Sequence, residues 1–273
     1  MGHYRQLYDL TGRVAVVTGG AGILGGATTA ALADHGARVA VVDIDEKQAD
    51  AVAAELAKQY GVAAIGVGCD VTDADSIAGM AAQVESELGP IDILHNNAAT
   101  KGPDLEKMFA SVEDYDLSTW RDIMAVNLDG LFLVSQHIGS GMARRGHGSI
   151  VHTASIYGAT MGPDQRIYEG SEYLGRPINT PPVYSASKGG VVGLTLYLAT
   201  YWASSGVRVN ALTPGGIASG QNDEFSRRYS ARVPLGRMAA AEEVASGFLF
   251  LASDASSYIT GQNLHVDGGL SAW

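Results

Sequence analysis

Apolar runs of strand length alternate along the chain with segments in which apolar residues recur at helical spacing. The strands predicted from these runs are Arg13–Thr18, Arg38–Asp43, Ala63–Gly68, Asp92–His95, Ser149–Thr153 and Val207–Leu212. The helices predicted between them are Ala27–His35, Glu46–Tyr60, Ala74–Leu88, Ser118–Ala143, Tyr184–Ser205 and Ala241–Ser253. Since the strands are almost entirely apolar, we expect a parallel sheet with helices on both faces. The pattern therefore predicts an α/β fold with a doubly wound sheet, which binds ligands at the carboxyl ends of its strands.

Two connections in this pattern are much longer than the others, whereas no linker or internal repeat divides the 273 residues into domains. They are Thr100–Leu117 and Gly162–Pro182, and the second contains four of the eight prolines. Long connections within a compact domain usually have a function, and we expect one here.

A glycine-rich turn, Thr18–Gly25, follows the first predicted strand and leads into the first helix. Glycines allow a tight turn and let a pyrophosphate approach the helix N-terminus, where free N–H groups and the helix dipole favour an anion. The turn therefore predicts a dinucleotide cofactor. The residues assigned to this contact are Gly19, Gly22, Ile23, Leu24 and Gly25.

Asp43 ends the second predicted strand, 18 residues beyond Gly25. An acid at this place can accept hydrogen bonds from an adenosine ribose, and it would repel a 2′-phosphate. Ile44 and the two acids after it offer no cation to hold such a phosphate. These residues favour NAD(H) over NADP(H), although Asp43 could instead cap the next helix, a role that Asp45 could fill as well.

Two further strand ends would complete the cofactor cleft. Asp70 and Val71 follow the third strand and would flank an adenine, although Asp70 fits a helix cap or a turn nearly as well. Asn97, Ala98 and Ala99 follow the fourth strand and would line the cofactor with closely packed backbone.

Tyr184 and Lys188 are four residues apart on a predicted helix, so they share one of its faces. An ammonium close to a phenol stabilises the phenolate and lowers the tyrosine pKa toward the range useful for proton transfer. The alternative is a solvated tyrosine beside a solvated lysine on an ordinary helix.

Composition narrows the choice of partners. Hydrophobic residues make up 46% of the chain and charged residues 17%, as in a globular protein. The formal net charge of −11 disfavours nucleic acid and anionic membranes as partners. Cys69 is the only cysteine, and neither a long apolar run nor a signal peptide is evident, so we expect a cytoplasmic protein and assign no metal site.

The candidate residues occur with other motifs in a fixed order along the chain. The motifs are the glycine-rich turn, Asp70, Asn96–Ala98, Asn127, Ser155, Tyr184, Lys188, Pro214–Gly216, Ile259–Gln262 and Val266–Gly269. With them the chain resembles the short-chain dehydrogenase/reductase family from Arg13 to Gly269. The resemblance implies a Rossmann-like fold, hydride exchange between a nicotinamide dinucleotide and a secondary alcohol or ketone, and a homotetramer.

The resemblance also implies roles for individual residues. Tyr184 would exchange the proton, Lys188 would lower its pKa and hold the nicotinamide ribose, and Ser155 would bond the substrate oxygen. Asn127 would hold a helix kink and a water that links Lys188 to solvent. Without the resemblance, Ser155 could be a strand-end turn and Asn127 a satisfied polar residue within a helix.

The chain departs from the family pattern at three positions. Ile23 stands where the turn usually has its middle glycine, Ala99 replaces a glycine, and Ser219 stands where a threonine often contacts the nicotinamide amide. Ser219 retains the hydroxyl. The further cofactor contacts implied by the resemblance are Pro214, Gly215 and Ile217.

Between Ser155 and Tyr184 lie 28 residues, where the family commonly has about a dozen. The surplus is Gly162–Pro182, which we expect to cover the active site or to contact a neighbouring subunit. Its polar residues are Gln165, Arg166, Tyr168, Glu169, Glu172, Tyr173, Arg176 and Asn179. They favour a sugar, polyol or sugar acid as substrate, with Tyr157 and Gln165 as further contacts, unless these groups face water or another subunit.

Three rival functions remain. The first is an NADP-dependent 3-oxoacyl thioester reductase, which Asp43 disfavours. The second is a non-catalytic nucleotide-binding relative, which would usually have lost Ser155, Tyr184 or Lys188. The third is a sugar-nucleotide epimerase or dehydratase, which usually has a C-terminal domain for which this chain leaves little room.

Overall fold

The computed structural model describes residues 2–173 and 175–273, with the side chains of Tyr173 and Arg176 excluded. Strands β1 to β9 span Val14–Thr18, Arg38–Asp43, Ala64–Gly68, Ile93–Asn96, Gly148–Thr153, Glu172–Tyr173, Arg176–Pro177, Val207–Pro214 and Asn263–Val266. Helices α1 to α11 span His3–Gln6, Ile23–Asp34, Glu46–Tyr60, Ala74–Glu87, Leu105–Met108, Leu117–Met124, Leu131–Arg145, Ile156–Ala159, Pro182–Trp202, Asp223–Ser230 and Ala241–Ala252.

Seven strands form one parallel sheet in the order β3-β2-β1-β4-β5-β8-β9. The strand order reverses between β1 and β4, which in a doubly wound fold is where a ligand cleft opens at the carboxyl ends. The predicted Rossmann-like doubly wound sheet is therefore confirmed. The remaining strands, β6 and β7, form a separate antiparallel hairpin in the connection before α9.

The core lies in two layers, one on each face of the sheet. Strand β1 shows why, because its five residues are all buried and alternate between the layers. Val14 and Val16 pack toward α4, α7 and α9, whereas Ala15 and Val17 pack toward α2, α3 and α11. No helix among residues 2–173 and 175–273 is both long and apolar enough to cross a bilayer.

The predicted helix Ser118–Ala143 is wrong as a single element. The structure divides it into α6 and α7, which a π-helical segment, Ala125–Gly130, joins. Apolar spacing does not distinguish a turn closed at i+4 from one closed at i+5, so the sequence pattern runs through the junction without a break. The π segment brings Asn127 to the interior.

Both long connections contain ordered structure. Helix α5 lies in the first, and the second holds a 3₁₀ turn, Gln165–Tyr168, as well as the β6–β7 hairpin. The second connection ends where Pro182 opens α9, two residues before Tyr184. Proline suits this first helical position because it has no N–H to leave unpaired.

Candidate active site

The glycine-rich turn packs so closely that side chains are excluded from it. A Cβ atom on Gly25 would lie 2.0 Å from the carbonyl oxygen of Gly19. Gly19 has φ +62°, and a Cβ there would lie 3.0 Å from Ala98 Cα. Gly22 precedes α2 without capping it through a side chain. The first N–H groups of α2 therefore lack a side-chain cap and lie next to glycine backbone, a combination that suits a pyrophosphate.

Asp43 lies at the end of β2 beside this turn. Its Oδ2 accepts a hydrogen bond from the Ala21 N–H at 3.2 Å, and its Oδ1 accepts one from the Asp45 N–H at 3.3 Å. Asp45 caps α3 by accepting from the Gln48 N–H. The structure thus gives the cap to Asp45 and places the Asp43 carboxylate at the edge of the turn, with Ile44 exposed next to it.

Asp70 and Val71 follow β3. Asp70 forms a turn, since its Oδ1 accepts from the N–H and the hydroxyl of Thr72 at 2.9 and 2.7 Å. Val71 is buried, and a Cβ on Gly130 would lie 2.8 Å from its side chain. The alternative role of Asp70 in a turn is therefore realised at one oxygen, and Val71 packs into the core.

The segment after β4 is fastened to the glycine-rich turn. The N–H groups of Asn97 and Ala98 both donate to Thr18 Oγ1, at 3.0 and 3.1 Å. Asn97 Nδ2 donates to the Gly19 carbonyl at 3.2 Å. Ala99, at the end of the segment, is exposed and lines a cavity.

Ser155 is held close to the start of α9. It caps the short helix α8, where its Oγ accepts from the Tyr157 N–H at 3.2 Å. Gly158 in α8 has φ +97°, and a Cβ there would lie only 2.0 Å from the Ser185 carbonyl oxygen. This close approach presses α8 onto the first turn of α9, which carries Tyr184.

Lys188 is buried one turn beyond Tyr184. Its Nζ donates to the Thr153 carbonyl at 2.7 Å, and burial lowers the Lys188 pKa to about 8. Burial raises the pKa of Tyr184, which a hydrogen bond with Ser155 partly opposes. The lowered pKa expected for Tyr184 is therefore wrong for the protein alone, because desolvation of the phenolate outweighs the other effects.

Asn127 is buried in the π-helical segment. Its Oδ1 accepts from the Thr100 N–H at 2.8 Å, whereas Nδ2 has no protein partner. The amide therefore ties the start of the Thr100–Leu117 connection to the helix and keeps one donor available.

A cavity of about 770 Å³ brings many of the predicted residues together. Those that line it are Leu24, Asn97, Ala99, Ser155, Tyr157, Tyr184, Lys188, Pro214, Gly215, Ile217 and Ser219. Gly19, Gly22, Ile23, Gly25, Asp43, Ile44, Asp70, Val71 and Ala98 lie around the neighbouring turn and strand ends instead. Three catalytic candidates, Ser155, Tyr184 and Lys188, thus share one cavity with the nicotinamide-side candidates next to the glycine-rich turn, whereas Asn127 is buried outside its lining.

Gln165 is held by the backbone of its own connection, so the structure lends no support to the predicted substrate contact. It is outside the cavity lining, and both ends of its amide bond the Thr180 backbone: Nε2 donates to the carbonyl and Oε1 accepts from the N–H, each at 3.1 Å. Other polar groups of the connection are engaged similarly. Arg166 pairs with Asp164, and Glu169 pairs with Arg228.

Three of the polar residues singled out in the Gly162–Pro182 connection do line the cavity: Tyr168, Glu172 and Asn179. The Tyr168 hydroxyl is hydrogen-bonded to Thr180 Oγ1 at 2.7 Å. Tyr157 lines it as a buried ring, and burial strongly raises the pKa of its phenol. The side chains of Tyr173 and Arg176 lie outside the described residues.

Several apolar lining residues were missed by sequence reasoning. They are Leu105, Met108, Phe109, Ile156, Ile178, Phe225 and Met238. They come from three connections that converge only in the folded chain, so no local spacing marks them. The single available signal was the unusual length of two of these connections.

The segment after β8 closes the cavity on the side of Ser219. The amide of Gln221 bonds the N–H and the hydroxyl of Ser219, each at 2.8 Å. A Cβ on Gly215 would lie 2.9 Å from Asp267 Cα, so this backbone is closely packed. Among the described residues, no group of His, Cys, Asp or Glu is arranged to hold a metal ion.

Comparison with known proteins agrees with this arrangement. Residues 13–173 match the short chain dehydrogenase family, and residues 171–271 match the enoyl-(acyl carrier protein) reductase family. The chain therefore belongs to the short-chain dehydrogenase/reductase family, and it is an oxidoreductase that acts on CH–OH groups with a nicotinamide cofactor.

Three relatives illustrate the range of the family. D-threitol dehydrogenase of Mycolicibacterium smegmatis is 39% identical over 270 residues, covering 96% of this chain and 94% of the relative. Cis-4-hydroxycyclohexanecarboxylate dehydrogenase of Sinomonas cyclohexanicum is 38% identical over 264 residues, covering 95% and 97%. A gluconate 5-dehydrogenase from Burkholderia cenocepacia, solved with NADP and tartrate, has a TM-score of 0.85 and 31% identity, covering 99% of this chain and 100% of that one.

Proposed function

We propose that the protein is an NAD-dependent dehydrogenase that interconverts a secondary alcohol and a ketone on a small polar substrate. The observation that carries the proposal is the meeting of Ser155, Tyr184 and Lys188 in one cavity beside an uncapped helix N-terminus. The cofactor supplies the hydride acceptor, so the chain itself has to orient the alcohol and to move one proton.

Tyr184 is the group proposed to move that proton. In oxidation its phenol oxygen accepts the proton of the substrate hydroxyl, and in reduction it returns a proton to the carbonyl oxygen. Ser155 bonds the same substrate oxygen and holds the phenol in place. Lys188 remains charged at neutral pH, since its pKa is about 8, and its ammonium favours the phenolate.

The direct test is Tyr184→Phe, which removes the proton carrier and keeps the ring. We expect kcat to fall by about 10²- to 10⁴-fold, as for other general acid–base groups, while dinucleotide affinity is retained. Tyr168→Phe is the matched control, because Tyr168 lines the same cavity but its hydroxyl bonds Thr180. A Tyr184→Phe enzyme within about tenfold of the parent would rule out the proposed proton transfer.

Asp43 supports NAD(H) as the cofactor. Its carboxylate lies at the edge of the glycine-rich turn, and the next three residues carry no positive charge to bind a 2′-phosphate. We expect a lower KM for NAD⁺ than for NADP⁺ in steady-state assays with the same alcohol. Asp43→Asn removes the charge at nearly constant volume and should narrow that difference mainly by lowering the KM for NADP⁺. A parent enzyme that prefers NADP⁺ would overturn the assignment.

The substrate proposed first is a polyol or sugar acid. The D-threitol dehydrogenase and gluconate 5-dehydrogenase relatives support it, as do Glu172 and Asn179 in the cavity lining. We propose further that the Gly162–Pro182 connection covers the substrate site. The test is a panel of tetritols, hexitols and aldonic acids with NAD⁺, followed by absorbance of the reduced nicotinamide.

A second candidate substrate is an alicyclic hydroxy acid. The apolar wall formed by Met108, Phe109, Ile178, Phe225 and Met238 favours a hydrocarbon ring, and one relative is a cis-4-hydroxycyclohexanecarboxylate dehydrogenase. Turnover of hydroxycyclohexanecarboxylates without turnover of any polyol would establish this candidate in place of the first.

We also propose a cytoplasmic homotetramer. Phe132 on α7 and Leu196, Tyr197 and Tyr201 on α9 are large exposed apolar side chains, of the kind that subunit interfaces cover. The buried thiol of Cys69 fits a reducing compartment. Light scattering coupled to size-exclusion chromatography measures the subunit number, and a monomer at micromolar concentration would contradict the proposal.

A further inference from the structure

His95 occupies a position to which the proposed chemistry gives no role. It lies at the carboxyl end of β4, fully buried, with its ring stacked on Phe248 at a centroid distance of 4.2 Å. Its Nδ1 is 3.1 Å from Thr28 Oγ1, and its Nε2 is 2.8 Å from Thr153 Oγ1. The imidazole thus joins helix α2 to strand β5 through two hydroxyl groups.

Each of these hydroxyl groups has a second contact with a residue near the cofactor cleft. Thr28 Oγ1 is 2.9 Å from the Gly25 carbonyl, in the first helix after the glycine-rich turn. Thr153 Oγ1 is 3.2 Å from Asn97 Oδ1, which lines the cavity. The carbonyl of the same Thr153 accepts from Lys188. Four contacts in a row therefore connect the Gly25 carbonyl to Asn97 Oδ1 through Thr28, His95 and Thr153, with His95 at the centre.

Counting protons shows that these four contacts cannot all be hydrogen bonds while His95 is neutral. Burial lowers the His95 pKa to about 3, so the ring carries one proton at neutral pH. Thr28, His95 and Thr153 then supply three protons to four contacts, because both ends are acceptor oxygens. One contact must lack a proton, and the tautomer of His95 decides which.

We propose that His95 is a positioning residue whose tautomer controls how strongly Asn97 Oδ1 accepts a hydrogen bond from the dinucleotide. With the proton on Nδ1, Thr153 donates to Nε2, and Asn97 Oδ1 is released to accept from a ribose hydroxyl. With the proton on Nε2, Thr153 donates to Asn97 Oδ1 and takes one of its two lone pairs, which makes that oxygen a weaker acceptor for the ribose hydroxyl. Dinucleotide binding therefore selects the Nδ1–H form. The inference rests on the proposed dinucleotide site.

His152 provides a matched control elsewhere in the same sheet. It is equally buried, and burial lowers its pKa to about 3 as well. Its partners are Ser135 Oγ at 3.0 Å and Thr195 Oγ1 at 2.9 Å, on helices α7 and α9. Those hydroxyls donate to the carbonyls of Leu131 and Val191 within their own helices, and Ser135 Oγ also accepts from Asn96 Nδ2 at 2.8 Å, so these contacts involve neither Asn97 Oδ1 nor the glycine-rich turn.

The first test is a double-mutant cycle on NAD⁺ affinity measured by calorimetry. In His95→Val the Thr153 proton goes to Asn97 in every molecule, and we expect affinity to fall by about threefold to fivefold, because the weakened acceptor loses much of the value of one hydrogen bond. Adding Thr153→Val removes that competing donor and should restore most of the affinity. His152→Val damages the core to a similar extent and should leave the affinity within about twofold of the parent.

A packing role alone gives a different pattern. The losses of His95→Val and Thr153→Val would then add, and the double variant would bind more weakly than either single variant. That result overturns the proposal while the proposed function stands. A parent protein that binds neither dinucleotide overturns both at the first measurement.

The second test uses the parent protein and no activity. Histidine labelled with ¹⁵N in the ring reports the tautomer directly, and the His95 signals are assigned by their loss in His95→Val or, by elimination, in His152→Val. We expect addition of NAD⁺ to increase the Nδ1–H form of His95 and to leave His152 unchanged. A His95 tautomer that NAD⁺ does not alter contradicts the proposal.

Discussion

Gly25 is the residue at which the cofactor cleft tolerates least change. Its missing side chain lets the backbone of α2 lie against Gly19, and the nearest atom to an added Cβ is a backbone oxygen that cannot rotate away. Gly26, the next residue, has nothing within 4 Å of such a Cβ. The two neighbours therefore separate the effect of close approach from the effect of helix propensity.

We predict that Gly25→Ala opens the turn, weakens NAD⁺ binding by more than about tenfold and lowers the free energy of unfolding by about 1–3 kcal/mol through overpacking. Gly26→Ala should bind NAD⁺ like the parent and gain up to about 1 kcal/mol from helix propensity. Urea unfolding and binding titrations of both variants check this. Equal behaviour of the two variants would show that the close approach is unimportant.

Individual residues differed in how well their sequence context fixed their roles. The helix-cap alternative for Asp43 is not realised, since Asp45 supplies the cap, and the ribose contact of Asp43 stays a prediction. The Thr180 partner of Gln165 could not be predicted, because a polar side chain in a long connection gives no sign of whether its partner is a ligand or the chain's own backbone. The tyrosine pKa was misjudged for a similar reason: burial depends on residues that are distant in sequence.

At the scale of elements, the contact of α8 with α9 places the proposed catalytic groups. Gly158 combines a positive φ with a Cβ position 2.0 Å from the Ser185 carbonyl. Any side chain there has to push the two helices apart, and Ser155 and Tyr184 lie on opposite sides of that contact.

We predict that Gly158→Ala lowers kcat by at least about tenfold, since small displacements of reacting groups have large effects, and changes the KM for NAD⁺ less. Gly162→Ala, in the same connection but with open space around its Cβ, should retain the parent kcat. Steady-state kinetics of the two variants provide the measurement. A kcat for Gly158→Ala equal to that for Gly162→Ala would mean that this contact does not position Ser155.

Long elements were predictable, whereas short ones and interruptions were not. The six long apolar strands reappear with small shifts in their bounds, because continuous apolar runs are required of a sheet covered on both faces. Strand β9 alternates polar and apolar residues and is only partly buried, and the hairpin strands have two residues each, so none of them forms a continuous apolar run. Helix α10 was missed because it is largely polar and buries only Tyr229.

At the scale of the whole molecule, two neutral histidines within the sheet make the stability of the fold depend on pH. The folded pKa of both His95 and His152 is about 3, against an ordinary value of 6.5. Between about pH 3 and pH 6.5 the two histidines are protonated in the unfolded chain but remain neutral in the folded chain. The stability contribution is therefore complete above about pH 6.5 and is lost as the pH falls toward 3.

We predict that the free energy of unfolding falls between pH 6.5 and pH 5 with a contribution of up to about 1.4 kcal/mol per pH unit from each histidine. The variant with both His95→Val and His152→Val should have a shallower slope, whatever its stability at pH 7.5. His137→Gln, which changes an exposed histidine, should keep the parent slope. Denaturant unfolding across this range measures the slopes, and identical slopes in all three proteins would refute the coupling.

The side-chain amide of Gln165 hydrogen-bonds as a peptide group would, with one donor and one acceptor, and this affects which substrates fit. By pairing both amide atoms with the Thr180 backbone, it fixes the segment over the cavity before any ligand arrives. Such a segment loses little conformational entropy when a ligand binds, so affinity depends on shape rather than on closure. A rigid cover of this kind also adapts poorly, which narrows the sizes of alcohol that fit.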